Sequence, residues 1–332
     1  MSGQGNSSDE VKVRIKPILD EVAVDGLRAW LKSIDLPSAA YSRATITDLV
    51  AKQIASGLLA EDALEEALIG FEEASEMRIY LFRIEDVPSG KPERWLPTRL
   101  VRAGFALAKS RAFAGDKTKP MSPVYARLEG DLLRVKWAEQ QQQSKLNDRG
   151  DGVILKPVFK RVVLVVDFLA GTAELRLNPP ENRHTYEIGE RPVAGAYYKA
   201  YIDKAAEVLG CVLVPSELRP VVRKLVQEQD PRVVRIHIDD HTNQGNYKTR
   251  TAGPQVDVRD CADWWLAYNQ NGESWAWDAL SFHWLPKVSC GFLNREVYSR
   301  IDADEGFIKV NADCSDKEVT HVISQIRARE AA

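Results

Sequence analysis

The residue types best suited to hold a metal ion fall together at His237-Ile238-Asp239-Asp240-His241. On a strand, His237 and Asp239 point to one side about 6.6 Å apart, near enough to share an ion, and His241 would turn back from the following loop. A catalytic divalent site needs a further carboxylate. Asp167 and Glu174, with Arg176 two residues on, stand on facing arms of a hairpin and loosely match the acidic pair and cation of a metal-dependent phosphodiester hydrolase. The competing reading is ordinary: Asp and Glu beside a turn serve the turn or face water. No GxSxG elbow, GxxxxGK[ST] loop or GxGxxG run occurs, so acyl-transfer, P-loop and dinucleotide chemistries lack their usual anchors. The expectation is therefore no metal, no cofactor and no catalytic residue. The hydrolase built on His237, Asp239 and His241, or on Asp167 and Glu174, is kept as the alternative.

Phosphate recognition has more residues behind it. Residues 1–77 hold 7 basic and 14 acidic side chains, and residues 91–170 hold 16 basic and 8 acidic, so a net charge of −3 conceals a front of −7 and a middle of +8. In the middle, Arg94, Arg99, Arg102, Lys109, Arg111, Lys117 and Lys119 alternate with Trp95, Phe105 and Phe113. A helix over 96–114 would place Arg99, Arg102 and Lys109 on one side, where several cations face one phosphate backbone. Two plainer outcomes compete: a solvated face, or docking of this basic block against the chain's own acidic front.

The segment 233–239 alternates strictly, sending Val234, Ile236 and Ile238 inward and Arg235, His237 and Asp239 outward. Its partner 247–251 puts Lys248 and Arg250 on a common face. Paired in register, Arg235, His237, Lys248 and Arg250 would gather to hold a phosphate or carboxylate. The wet side of a half-buried antiparallel sheet reads the same way.

The elements that must position these residues are legible in outline. Residues 11–75 carry apolar side chains at helical spacing, with a helix ending at Ala55 capped by Thr45 or Thr47 and another over 60–75 that places Leu64, Leu68 and Phe71 on one stripe. Glu61, Asp62, Glu65 and Glu66 in that last helix would repel DNA, so the bundle is expected to contact protein. A strand at 78–84, hairpins over 124–138 and 158–177, and a solvated loop holding Gln140 to Gln143 and residues 147–152 make the middle. Helices at 194–209 and 217–228, the second capped by Ser216, flank a strand at 211–214. A meander of 233–239, 247–251 and 256–260 follows, and a strand at 307–310 and a helix at 315–329 close the chain. Five of eight tryptophans, Trp264, Trp265, Trp275, Trp277 and Trp284, lie close together and are read as core, each large ring burying about 150–250 Å².

The class is α+β: an acidic N-terminal helical bundle (1–77), a central antiparallel sheet with a basic helix (78–190), and a C-terminal α+β unit with an aromatic core (191–332). A 44% hydrophobic content suffices for a buried core, and no apolar run approaches the roughly 18 residues of a membrane span. The polar start MSGQGNSSDE and four cysteines, all in the C-terminal part and without CxxC spacing, point to reduced thiols in the cytoplasm. The expected function is a non-enzymatic intracellular adaptor. Its bundle meets a protein, and Arg99, Arg102, Lys109, Arg111, Lys117 and Lys119, or Arg235, His237, Lys248 and Arg250, meet nucleic acid or another polyanion. A structural subunit whose charged halves only hold each other is the third reading.

Overall fold

A computed structural model of the chain describes residues 7–20, 22, 24–38, 42–74, 77–109, 111, 121–146, 153–178, 194–228, 233–242, 246–251, 253, 255–286, 292–293, 295–311 and 314–330. Four helices come first: α1 (Ser8–Asp20), α2 (Val24–Ser33), α3 (Arg43–Ala55) and α4 (Glu61–Ala74). Leu19, Leu27, Trp30, Val50, Leu64, Leu68 and their neighbours form a core of their own between them. The N-cap of α3 is Ser42, whose side chain accepts the N–H of Thr45; Thr47 lies inside the helix, its hydroxyl donating to the Arg43 carbonyl.

The rest is an α+β assembly on one antiparallel sheet. Its strands are β1 (Arg78–Glu85), β2 (Ser122–Glu129), β3 (Leu132–Leu146), β4 (Val153–Asp167), β5 (Thr172–Leu177), β6 (Val212–Pro215), β7 (Val234–Thr242), β8 (Asn246–Arg250), β9 (Ala276–Trp284), β10 (Val297–Asp302) and β11 (Phe307–Val310). They are ordered β2-β3-β4-β5-β1-β11-β10-β9-β7-β8. β1 is the hinge of this order. One of its edges pairs with β5, and the other is shared, with Arg78 and Ile79 against β11 and Phe82 to Glu85 against β6. Strands from 78–190 and from 191–332 therefore join in a single sheet. Five further helices are described: α5 (Pro92–Arg102), α6 (Ala194–Leu209), α7 (Arg219–Gln227), α8 (Ala262–Asn271) and α9 (Asp316–Glu330).

Alternation along β1 shows how the sheet is buried. Ile79 and Leu81 point to one face and join Val222, Leu225, Leu280, Phe282, Trp284, Val322 and Ile326, the core beneath α7, α8 and α9. Tyr80, Phe82 and Ile84 point to the other face and join Leu96, Leu100, Trp137, Leu164 and Tyr201, the core beneath α5 and α6. Each half of the sheet is thus packed on a different side. The reverse face of each half carries charged side chains, and on the second half Phe307 alone reaches from that face into the core beneath α5 and α6.

Several elements depart from the spacing. The helix expected over 96–114 stops at Arg102, because Gly104 takes φ +89° and closes it with a left-handed residue; Lys109 falls beyond the helix. The glutamine run is no loop: Gln140 to Gln143 continue β3 and pair with β4, and Gln141 is buried with its amide on Glu139. Residues 147–152 lie outside the described residues. The third meander segment is a 3-10 turn at Val258–Asp260, since Asp257 accepts the N–H of Arg259 and bends the chain. Ser216 does not cap α7, whose N-cap is Leu218; the Ser216 hydroxyl instead accepts from Arg327. Among the described residues, no helix is long and apolar enough to cross a membrane.

Candidate functional site: a neutralised sheet face and an open basic helix

Register fixes the first charged surface. Tyr125 and Arg127 on β2, Arg134 and Lys136 on β3, Arg161 on β4, and Glu174 and Arg176 on β5 all fall on the reverse face of the first half-sheet. α4 and the start of α9 lie over that face. Lys136 Nζ donates to Glu72 Oε2 at 2.6 Å, and Arg161 Nε sits 2.6 Å from Glu72 Oε1 in an ion pair whose angle does not make a hydrogen bond. Glu73 accepts from the Tyr125 hydroxyl at 2.7 Å and from Arg134 at 2.9 Å, with Arg111 at 3.8 Å. Glu72, Glu73 and Lys136 are fully buried.

Asp316, the first residue of α9, is the hub of this network. Its Oδ2 accepts from Arg111 at 2.5 Å and Arg134 at 2.8 Å, and its Oδ1 from Arg176 at 2.5 Å. Burial alone would raise its carboxyl; the guanidiniums of Arg176, Arg134 and Arg111 outweigh burial and hold it well below the usual carboxylate range. Arg176, itself fully buried, also donates to Glu174 at 2.5 Å. Towards solvent, Arg127 bonds Glu129 at 2.6 Å and lies 3.3 Å from Glu66. Six cations (Arg111, Arg127, Arg134, Lys136, Arg161, Arg176) thus meet six carboxylates (Glu66, Glu72, Glu73, Glu129, Glu174, Asp316). Among the described residues the network is formally neutral. Gly70 lies close over it: a Cβ there would stand 3.4 Å from an Arg111 guanidinium nitrogen and 3.7 Å from the Asp316 Cβ.

The second surface is α5, on the opposite side of the sheet. Pro92, Leu96 and Leu100 anchor it in the core with α6. Lys91, Arg94, Arg99 and Arg102 fall within an arc of about 140° at 100° per residue, and all four are exposed. Among the described residues none of them has an ion pair. Arg99 stacks its guanidinium 5.9 Å from the Trp95 ring and lies over Gly210, which ends α6 at φ +65°; a side chain at 210 would collide with it. Lys109 is exposed beyond the helix.

The expected residues therefore separate. Arg99, Arg102 and Lys109 face outward, whereas Arg111 points into the neutral network. Lys117 and Lys119 lie outside the described residues. In β7, His237 sits at a bulge: Ile236 pairs with Phe282 but Ile238 pairs with Ser281. The bulge overturns strict alternation, turning the half-buried Ile238 to Arg235's face. Arg250 and Lys248, opposite Ile238 and Asp240, share that face. Arg235, Lys248 and Arg250 are thus brought to one side, but Arg235 donates from its two terminal guanidinium nitrogens to Glu296, and the His237 ring bonds Thr251 Oγ1 at 2.6 Å.

Among the described residues no group of three His, Cys, Asp or Glu could hold a metal ion. The side chains of Asp239 and His241 lie outside those residues. Asp167 accepts the Ala170 N–H at 2.8 Å as a turn cap, and Glu174 is taken by Arg176. Four of the five clustered tryptophans, Trp264, Trp275, Trp277 and Trp284, are buried, Trp265 is half-buried against them, and Trp264 stacks on Tyr268 with centroids 5.1 Å apart.

Spacing gives no sign of Asp316. It reads as an ordinary acidic residue in a helix's first turn, and its partners Arg111, Arg134 and Arg176 are 205, 182 and 140 positions away. Compared with known proteins, the chain matches no protein-family model and no curated protein.

Proposed function

We propose that this chain is a non-enzymatic binding protein that contacts a polyanion, nucleic acid foremost, through the exposed cations of α5 and the segment after it. Lys91, Arg94, Arg99, Arg102 and Lys109 would supply the contacts. One observation carries the reading: these cations stand outward without carboxylate partners among the described residues, whereas the other half of the same basic segment is neutralised inside the molecule. An ungathered surface charge would be solvated and silent; several on one helix face add their fields and attract a phosphate backbone together. Trp95 under Arg99 offers a planar, half-buried support for the guanidinium fork. A protein partner belongs to the same reading, on the faces of α1 to α3 turned away from the sheet.

The test is fluorescence anisotropy of labelled single-stranded and duplex oligonucleotides across a salt series. Affinity should fall steeply with ionic strength, with a log–log slope near −0.7 to −0.9 per phosphate contact. Arg99→Glu with Arg102→Glu should abolish binding. Binding that ignores salt or survives this double variant would end the proposal.

The neutral network favours a second reading, a structural subunit whose charged halves hold each other. On that reading intact protein binds neither oligonucleotide at low salt.

A further inference from the structure

The reverse face of the second half-sheet carries a cation row that neither charged surface above includes. Register places Arg78 opposite Lys309, Lys309 opposite Arg300, and Arg300 opposite Ser281, so three cations stand side by side on β1, β11 and β10. Like charges directly opposite on neighbouring strands destabilise a sheet. Two of the three are compensated: Arg78 pairs with Glu305 and Arg300 with Asp302, both at 3.0 Å. Lys309, between them, is exposed and has no ion pair among the described residues. The row lines a cleft of about 310 Å³ with Met77, Asp302, Glu305 and Phe307, in which three cations face two carboxylates.

The cleft is built, not incidental. The Arg78 guanidinium lies 4.3 Å from the Phe307 ring centroid and 5.6 Å from that of Tyr198 on α6, which fixes its direction. Phe307 and Met77 are buried and give the cleft an apolar floor. The two carboxylates differ. Asp302 is committed twice, to Arg300 through Oδ2 and to the Glu305 N–H through Oδ1, where it shapes the β10–β11 turn. Glu305 rides on that turn with its side chain 56% exposed, so its pair with Arg78 is a solvent-screened contact that a stronger anion can replace.

We infer that this cleft binds the phosphate group of a small phosphate monoester, held by Arg78, Lys309 and Arg300. Strands lie about 4.8 Å apart, so long side chains from three successive strands converge on one group, and three cations match the three terminal oxygens of a phosphate better than the two of a carboxylate. Arginine forks bind such oxygens in pairs. A dianion displacing Glu305 would leave the row compensated by the phosphate and Asp302 together.

Equilibrium dialysis of the full chain against phenyl phosphate and against benzoate tests this, with inorganic phosphate as competitor. Phenyl phosphate should bind, and benzoate at least tenfold more weakly. Inorganic phosphate should compete, since the three cations grip the phosphate group itself. Lys309→Met, at an exposed position, should keep the wild-type unfolding midpoint and lose at least tenfold in phenyl phosphate affinity, and Lys309→Arg should retain binding. Glu305→Gln should bind severalfold more tightly. Equal binding of ester and carboxylate, no binding at all, or an unchanged affinity in Lys309→Met overturns the inference. Arg99→Glu, on α5, should leave phenyl phosphate binding intact, which separates this site from the polyanion surface.

Discussion

The basic middle of the chain supplies two surfaces that differ in nearly every physical respect. On the sheet, Arg134, Lys136, Arg161 and Arg176 are at most 16% exposed in their side chains and face Glu72, Glu73, Glu174 and Asp316 at hydrogen-bonding or ion-pair distance. On α5, Arg94, Arg99 and Arg102 are exposed and meet no carboxylate among the described residues. The same residue types therefore do opposite work. Buried, a cation is a structural element that must be matched one for one, because removing a partner strands a charge in a medium that cannot solvate it. Exposed, it contributes little to folding and much to the field a ligand meets. A net charge summed over 91–170 averages over this difference.

The largest effect should come from the buried side. Glu72→Ala takes a fully buried carboxylate away from Lys136 and Arg161, and urea unfolding should report a destabilisation of about 3–5 kcal/mol. Adding Lys136→Met should recover a good part of it, since an apolar residue asks for no partner. A cost under about 1 kcal/mol would mean that solvent reaches the seam and that the contrast with α5 is false.

Asp316 gives the next effect, as a pH dependence. Its carboxyl is depressed in the folded protein below its unfolded value of about 3.9. The stability it contributes is therefore complete above that unfolded value and declines as pH falls below about 4 toward the folded one. Acid unfolding followed by circular dichroism should be shallower in Asp316→Asn, which should cost on the order of 2 kcal/mol at pH 7 and measurably less at pH 2. Equal costs at both pH values would remove Asp316 from its place as hub.

On the exposed side, Arg99→Glu with Arg102→Glu should shift unfolding by no more than about 0.5 kcal/mol per site. Oligonucleotide binding should nevertheless be lost, because the phosphate contacts go with the two cations. Arg127→Ala tests the boundary. Its partners Glu129 and Glu66 are 61% and 48% exposed in their side chains, so thermal unfolding should detect less than about 1 kcal/mol.

Much of the fold is legible because its signals are local. The stripe of Leu64, Leu68 and Phe71 marks α4, the alternation of 78–84 marks β1, and the hairpin turning at Ala170-Gly171 forms as its residues suggest. Signals that compete locally mislead. Gln140 to Gln143 look solvated, yet β4 is long enough to pair with all four. Gly104 looks like a weak spot inside a helix, when its left-handed backbone is the helix's end. β10 has no signal strong enough to mark it, and it supplies Arg300.

The chain's order of residues fixed how much charge each segment carries, which positions alternate and where helices carry acid: these depend on neighbours within a turn or a strand. Which cation would be buried against which carboxylate was decided by the tertiary structure alone. Glu72 meets Lys136 across 64 positions and Arg78 stands beside Lys309 across 231 because the strands pair in a particular order and register. Electrostatic energy depends on distance and on exclusion of water, and sequence separation specifies neither.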